Sequence, residues 1–70
     1  MKDIPTYDCH NKSHFQVKDE FENWLLLNNV PMDVITGNSE EMKKIVIDIL
    51  LKHDYGFFIS QYNQGSIKVI

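Results

Sequence analysis

Two side chains that can move protons stand two positions apart near the start of the sequence. Asp8 and His10 flank Cys9, and the alternation of side chains along a strand would place the carboxylate and the imidazole on one side. A carboxylate beside an imidazole holds the orientation of the ring, and such a pair suits general acid–base catalysis at a phosphodiester. The alternative interpretation is a solvated strand end at which His10 makes an ordinary hydrogen bond.

A second polar cluster follows the next predicted strand and opens a helix. Gly37 permits a sharp turn and a close approach of the backbone, and the free N–H groups at the start of the helix can bind a phosphate. Asn38 is the predicted N-cap of that helix, and Ser39 follows it. The alternative is an ordinary strand-to-helix turn, in which the carboxylates of Glu40 and Glu41 compete with an anion.

Lysines and a further histidine are placed to reach the same region. Lys12, Lys43 and Lys44 could neutralise backbone phosphates, although Lys43 and Lys44 are equally well explained as the solvated face of a helix. His14, in the first turn of the first helix, could supply a second imidazole. No spacing of His and Cys resembles a zinc site, so no metal site is predicted, and the cofactor requirement stays unknown.

Cys9 and three aromatic residues have less specific patterns. Cys9 points to the side of its predicted strand that faces the core, which favours a buried, inert thiol over a nucleophile. Phe57, Phe58 and Tyr62 could stack bases, and the alternative is that they form the core of a strand.

Six elements in the order β-α-β-α-β-β are predicted to position these residues. Alternating polar and apolar residues, rich in β-branched and aromatic types, predict strands at 5–10, 32–36, 57–62 and 66–70. Residues 63–65, Asn-Gln-Gly, are predicted to form the turn of the final hairpin.

The helices are predicted from their caps and apolar stripes. Ser13 fits an N-cap with Gln16 at the third helical position, and the helix that it opens ends near Asn28. The second helix starts at Asn38, and Gly56 provides its stop.

This order predicts one α/β domain spanning residues 1–70. Strand–helix–strand units form parallel pairs with right-handed crossovers, and the final hairpin adds an antiparallel strand. We therefore expect a two-layer sandwich, in which two helices cover one face of a mixed four-stranded sheet. Because ligand sites of such sheets lie at the carboxyl ends of parallel strands, Asp8 and His10 should meet the loop at Gly37.

Composition indicates the cellular compartment of the protein and the kind of partner that it can bind. A single cysteine excludes an internal disulfide, the N-terminus lacks the pattern of a signal peptide, and no apolar run approaches membrane length. We therefore expect a cytoplasmic protein with no membrane contact. The net charge is −3, with 7 lysines and no arginine, and this balance opposes strong non-specific attraction to nucleic acid.

Two segments together resemble the Smr (small MutS-related) domain family. Residues 7–11, Tyr-Asp-Cys-His-Asn, are similar to the Leu-Asp-Leu-His-Gly segment that opens the family's domain. Residues 33–39, Asp-Val-Ile-Thr-Gly-Asn-Ser, are similar to its second signature, Gly-x-Gly after strand two, with Ser39 in place of the second glycine. Asn11 replaces the glycine after the histidine and accepts left-handed backbone nearly as well. The resemblance extends from about residue 5 to residue 70.

The resemblance implies a fold and an activity. Smr domains are two-layer α/β sandwiches, like the C-terminal domain of the third bacterial translation initiation factor. Members include DNA-nicking and RNA-cleaving endonucleases, some acting on mRNA at stalled ribosomes. The resemblance implies that Asp8 and His10 carry cleavage and that Gly37 contacts nucleic acid or supports the fold. The chain is also similar to a short stand-alone branch of the family found in phage and bacterial genomes.

Three functions are therefore open. The first is an endonuclease of Smr type, with RNA favoured over DNA because an imidazole suits activation of a 2′-hydroxyl. The second is a non-catalytic module of the same fold that binds nucleic acid, a ribosome or a protein through the same edge. The third is a phage protein that binds a host protein through an acidic helix face formed by Asp19, Glu20 and Glu22.

Overall fold

A mixed four-stranded sheet carries two helices on one face in the computed structural model, which describes residues 4–70. The predicted two-layer α/β sandwich is confirmed, and its elements follow the predicted order. They are β1 (Thr6–Asp8), α1 (His14–Leu27), β2 (Met32–Ile35), α2 (Glu40–Lys52), β3 (Phe57–Ser60) and β4 (Asn63–Val69).

The strands lie in the order β1-β2-β4-β3. β1 and β2 are parallel, with Tyr7 opposite Val34, whereas β4 is antiparallel to both β2 and β3. β3 therefore runs in the same direction as β1 and β2, although β4 separates it from them. Three strands end, and β4 begins, at one edge of the sheet, which we call the C-terminal edge.

Helix α1 starts where the sequence predicts. The Ser13 hydroxyl oxygen accepts a hydrogen bond from the Gln16 amide at 3.0 Å, which satisfies one of the opening N–H groups of the helix. Val17, Phe21 and Leu25 recur at helical spacing and are fully buried against the sheet. Because a crossover helix runs back along the parallel strands that it joins, α1 starts at the C-terminal edge and ends at the opposite edge.

Helix α2 begins one residue later than predicted. Ser39, and not Asn38, is the N-cap, because its hydroxyl oxygen accepts a hydrogen bond from the Met42 amide at 3.2 Å. The chain makes a turn at Gly37 and Asn38 after β2, and the helix can start only beyond that turn. The serine is therefore the residue that satisfies one of the opening amides, that of Met42.

The C-terminus of α2 also differs from the prediction. The helix ends at Lys52, and Asp54, rather than Gly56, takes the left-handed conformation, with φ 60°. The Tyr55 amide then donates to the Leu50 carbonyl oxygen at 2.9 Å, which closes the helix end. A short polar side chain such as Asp54 tolerates this backbone region, so glycine is not required there.

The hairpin between β3 and β4 turns earlier than predicted. Ser60 pairs with Asn63, so the loop is Gln61 and Tyr62, and residues 63–65 belong to β4 instead of to the turn. The Gly65 carbonyl oxygen accepts hydrogen bonds from the loop after β2, and this long-range pairing extends the strand in place of a local turn.

The core lies between the sheet and the helices, and the other face of the sheet carries a cross-strand ion pair between Lys68 and Asp33 at 3.1 Å. Neither helix of residues 4–70 combines the length and the apolar character needed to cross a bilayer.

Candidate functional site

The segments that follow β1 and β2 lie side by side at the C-terminal edge. Asp8 is opposite Ile35 in the parallel register, and the Cys9 amide donates to the Ile35 carbonyl oxygen at 2.8 Å. His10 is the next residue on one side, and Gly37 lies two residues beyond on the other. Neighbouring strands are about 5 Å apart, so the topology brings the two predicted clusters to one stretch of the edge.

The Asp8 carboxylate binds the main chain of His10. Its Oδ1 atom accepts a hydrogen bond from the His10 backbone N–H at 2.8 Å, and both side chains are exposed. The Cys9 carbonyl oxygen then accepts from the Lys12 amide at 3.1 Å, and Asn11 takes the left-handed conformation with φ 65°. Asp8 therefore positions His10 through the backbone of this turn, instead of through the imidazole ring.

Cys9 is buried, as the sequence predicts, with 3% of its surface exposed. Burial, followed by the negative charge of Asp8, raises the pKa of the thiol to about 11, and the nearby ammonium of Lys12 opposes this shift. The thiol is therefore protonated at neutral pH, which makes it a packing residue under the turn.

The Gly37 loop is fixed on one side and open on the other. The amides of Thr36 and Gly37 both donate to the Gly65 carbonyl oxygen, at 2.8 and 3.0 Å. Gly37 has φ +67°, and a Cβ atom built on it would meet nothing within 4 Å. A ligand can thus approach this backbone closely, but the Gly37 N–H itself is already used by the fold.

The first turn of α2 lies next to that loop and carries two acidic side chains. Glu41 Oε2 is 3.2 Å from His14 Nδ1 at the start of α1, and Glu40 Oε1 is 3.9 Å from Lys43 Nζ. Lys43 therefore offsets the charge of Glu40 in part, and His14 does so for Glu41 only when its imidazole is protonated, although exposed pairs of this kind are weak. The backbone amides of Glu40 and Glu41 have no acceptor within the helix and face the same edge.

The three lysines predicted to bind phosphates have different surroundings. Lys12 Nζ lies 5.6 Å from the centroid of the Tyr7 ring and 3.8 Å from Glu20 Oε1. Lys43 is held near Glu40, with 12% of its side chain exposed, whereas Lys44 is exposed on α2. Two of the three positive charges are therefore partly neutralised by carboxylates.

The acidic face predicted on α1 is partly used inside the molecule. Glu22 Oε2 accepts from Lys52 Nζ at 3.0 Å and lies 2.7 Å from His53 Nε2 at the end of α2. These hydrogen bonds, first that of His53 and then that of Lys52, lower the pKa of the Glu22 carboxyl group. Glu22 thus links the two helices, while Asp19 and Glu20 stay exposed.

Sequence reasoning missed the contribution of the β3–β4 hairpin to this edge. Because β3 runs parallel to β1 and β2, its turn lies at the C-terminal edge, and Tyr62 there is 90% exposed. The cluster of three aromatic residues is also divided, since Phe57 packs against the core and Phe58 is half exposed on the other face. The sequence does carry a signal for this position. The strand–helix–strand order implies that β3 is parallel to β1 and β2, so that its turn lies at the same edge.

Two pockets lie away from the C-terminal edge. One of about 210 Å³ lies between the helices, with Lys18, Glu22 and Asp48 in its lining. The other, of about 450 Å³, is lined by Ile4, Pro5 and residues 27–31 at the opposite edge. Asp8, His10 and Gly37 at the C-terminal edge are exposed and line neither pocket.

No family model, curated protein or solved structure matches the chain. Within residues 4–70, no group of three or more His, Cys, Asp and Glu side chains is arranged to hold a metal ion. The resemblance to Smr domains therefore stays a prediction that rests on the two quoted segments.

Proposed function

We propose that this protein is a nucleic-acid endonuclease of Smr type and that RNA is its favoured substrate. The observation that supports this most strongly is the hydrogen bond from the Cys9 amide to the Ile35 carbonyl oxygen at 2.8 Å. That bond keeps the exposed His10 at the same stretch of edge as the open backbone at Gly37. An acid–base group thus lies near a surface on which a phosphate could rest.

The proposed reaction is attack by the 2′-hydroxyl group on the neighbouring phosphate. His10 takes the proton of the 2′-hydroxyl as its oxygen bonds to phosphorus, and the bond from phosphorus to the 5′-oxygen breaks. The leaving 5′-oxygen accepts a proton from the second imidazole, His14, which Glu41 orients through its Oε2 atom at 3.2 Å. The products are a 2′,3′-cyclic phosphate and a 5′-hydroxyl end.

The remaining residues of the edge would bind the backbone of the substrate. Asn38 and Ser39 follow the open Gly37 loop, and Lys44 is the exposed cation on α2. Lys12 and Lys43 would contribute less, since each lies near a carboxylate. With a net charge of −3, we expect modest affinity that weakens as salt is raised.

One observation favours a second candidate, a non-catalytic binding module of the same fold. The Asp8 carboxylate is bonded to the His10 backbone at 2.8 Å, so the His10 ring receives no orientation from that group. A module of this kind would bind nucleic acid, a ribosome or a protein through the same edge without cleaving it.

Cleavage of end-labelled RNA and DNA separates these candidates. We expect His10→Ala to reduce RNA cleavage by about 10²- to 10⁴-fold, the usual contribution of an acid–base group, and Asp8→Ala to reduce it less. The control is His53→Gln, which removes an imidazole far from the edge. If wild type, His10→Ala and Asp8→Ala share the same residual activity, the endonuclease proposal is wrong, whereas binding without cleavage supports the module.

A further inference from the structure

The tip of the β3–β4 hairpin presents an aromatic ring and several amides at the C-terminal edge. We define the hairpin tip as residues 60–64, Ser-Gln-Tyr-Asn-Gln, and its residues 61–64 are all exposed. Tyr62 is 90% exposed, while its backbone N–H donates to the Ser60 hydroxyl oxygen at 3.1 Å. The turn therefore fixes the backbone of Tyr62, whereas its large aromatic ring makes almost no contact with the core.

The hairpin tip is joined to the loop proposed to contact the substrate. The Gly65 carbonyl oxygen, directly after the tip, accepts hydrogen bonds from the Thr36 and Gly37 amides. A Cβ atom on Gly65 would lie 3.3 Å from Gly37 Cα, so the two backbones are in direct contact. Across β1, β2 and β4 the lateral separation is about two strand spacings, or roughly 10 Å. The tip also extends beyond the end of β2, because Ser66 is the residue opposite Ile35, so the path from the His10 segment to Tyr62 is longer than this and spans several nucleotides of a single strand.

The chemistry of the hairpin tip matches unpaired bases better than a phosphate backbone. Aromatic side chains stack on base faces without regard to sequence, and the side-chain amides of Asn and Gln both donate and accept at base edges. Residues 60–65 carry no charged side chain, so the tip does not repel the substrate in a chain of net charge −3. Bases become available for such stacking only where they are splayed out of a duplex.

We propose that the hairpin tip is a single-strand binding site in which Tyr62 stacks on an unpaired base a few nucleotides from the cleaved bond. This inference rests on the proposed function and deepens it, because it names single-stranded nucleic acid as the substrate class. Gln61, Asn63 and Gln64 hydrogen-bond to the edges of that base or its neighbour. Duplex nucleic acid does not use this site, since its bases stay stacked.

Direct binding measurements in a cleavage-deficient background test the site. The affinity of a short fluorescent single-stranded RNA is measured for His10→Ala and for the same variant with Tyr62→Ala or Tyr62→Phe. We expect Tyr62→Ala to weaken binding by about 5- to 100-fold and Tyr62→Phe, which keeps the ring, to change it by less than about threefold. Because Tyr62 is 90% exposed, neither substitution should unfold the protein, which thermal unfolding verifies.

The matched controls are a distant residue and a duplex. Leu27→Ala removes an 84% exposed apolar side chain at the other end of α1 and should leave binding unchanged. The same RNA annealed to its complement should bind equally to the parent variant and to Tyr62→Ala. If Tyr62→Ala weakens single-strand binding no more than Leu27→Ala does, or weakens duplex binding equally, the inference is wrong.

The outcome for the site and the outcome for the nuclease proposal are distinguishable. Cleavage by the wild-type protein together with unaltered binding by Tyr62→Ala overturns only the single-strand site. Single-strand binding that depends on Tyr62, without cleavage by the wild-type protein, supports the site and overturns the nuclease. Absence of any nucleic-acid binding overturns the site.

Discussion

The Gly37 amide donates a hydrogen bond to the Gly65 carbonyl oxygen at 3.0 Å, and this bond ties the loop after β2 to the final strand. The Thr36 amide shares the same acceptor at 2.8 Å, and the Thr36 hydroxyl donates to the Gly37 carbonyl oxygen at 3.1 Å. The backbones meet where a Cβ atom on Gly65 would lie 3.3 Å from Gly37 Cα. A pair of glycines, 28 positions apart, thus supports the edge that carries the candidate site.

Gly65→Ala should destabilise the protein by about 1–3 kcal/mol, because the added methyl group meets backbone atoms that cannot move independently of β2. Urea unfolding measures the loss. The control is Gly56→Ala, whose Cβ would lie 3.2 Å from the Cγ1 atom of the Ile70 side chain, which can rotate away. Equal losses for the two variants would contradict the close contact between the glycines.

Ser39→Ala should reduce the free energy of unfolding by about 1 kcal/mol, because it removes the acceptor for the Met42 amide. Asn38→Ala should cost clearly less, since Asn38 lies in the turn before the cap. Chemical denaturation of both variants makes the comparison. A larger loss of stability for Asn38→Ala than for Ser39→Ala would mean that Asn38 is the N-cap, as the sequence predicts.

Tyr7→Phe should leave the stability unchanged or raise it by up to about 1 kcal/mol. Among the described residues, the buried Tyr7 hydroxyl has no hydrogen-bond partner, and burial, followed by the negative charge of Glu20, raises its pKa. The ring keeps its edge contact with Phe21, at 5.2 Å between centroids, in either variant. A loss greater than about 1 kcal/mol in thermal or urea unfolding would mean that the hydroxyl group has a favourable partner.

Glu22→Gln should make the free energy of unfolding depend less steeply on pH under acidic conditions. His53 and Lys52 lower the pKa of the Glu22 carboxyl group in the folded state. A lowered carboxyl pKa stabilises the fold at pH values above the unfolded pKa, and this contribution is lost as the pH falls through the folded pKa. The wild-type free energy of unfolding should therefore fall more steeply than that of Glu22→Gln below about pH 4.5.

The matched control for that experiment is Glu40→Gln. Glu40 is an exposed carboxylate whose Oε1 atom is 3.9 Å from Lys43 Nζ, a much weaker interaction. The free energy of unfolding of Glu40→Gln, measured in urea at each pH, should change with pH as that of the wild-type protein does. If the two variants have the same profile, Glu22 does not link the helices in solution.

The features that depend on residues close together in the chain could be predicted from the sequence. The Ser13 cap and the buried stripe of Val17, Phe21 and Leu25 are fixed within α1, and the order of elements predicts that β1 and β2 end together. The partner of the Asp8 carboxylate could not be predicted, because at a spacing of two residues the carboxylate can reach either the ring or the backbone N–H of His10.

Long-range pairing explains the errors. Asn38 and Ser39 are both good caps, and the choice between them follows from a turn that Gly65 holds from the far end of the chain. The composition of residues 63–65 is typical of a turn, yet Asn63 pairs with Ser60 of β3, and the Gly65 carbonyl oxygen accepts hydrogen bonds from the loop after β2, so these residues belong to β4. A contact across some 28 positions leaves no local signal at either site.

The central position of β4 has a consequence for synthesis. β4 lies between β2 and β3, yet residues 63–69 are translated after the other five elements. A nascent chain that stops short of Asn63 leaves β3 detached and the Gly37 loop without its acceptor, so we expect it to show neither cooperative unfolding by circular dichroism nor cleavage. Cleavage by such a truncated chain would contradict this.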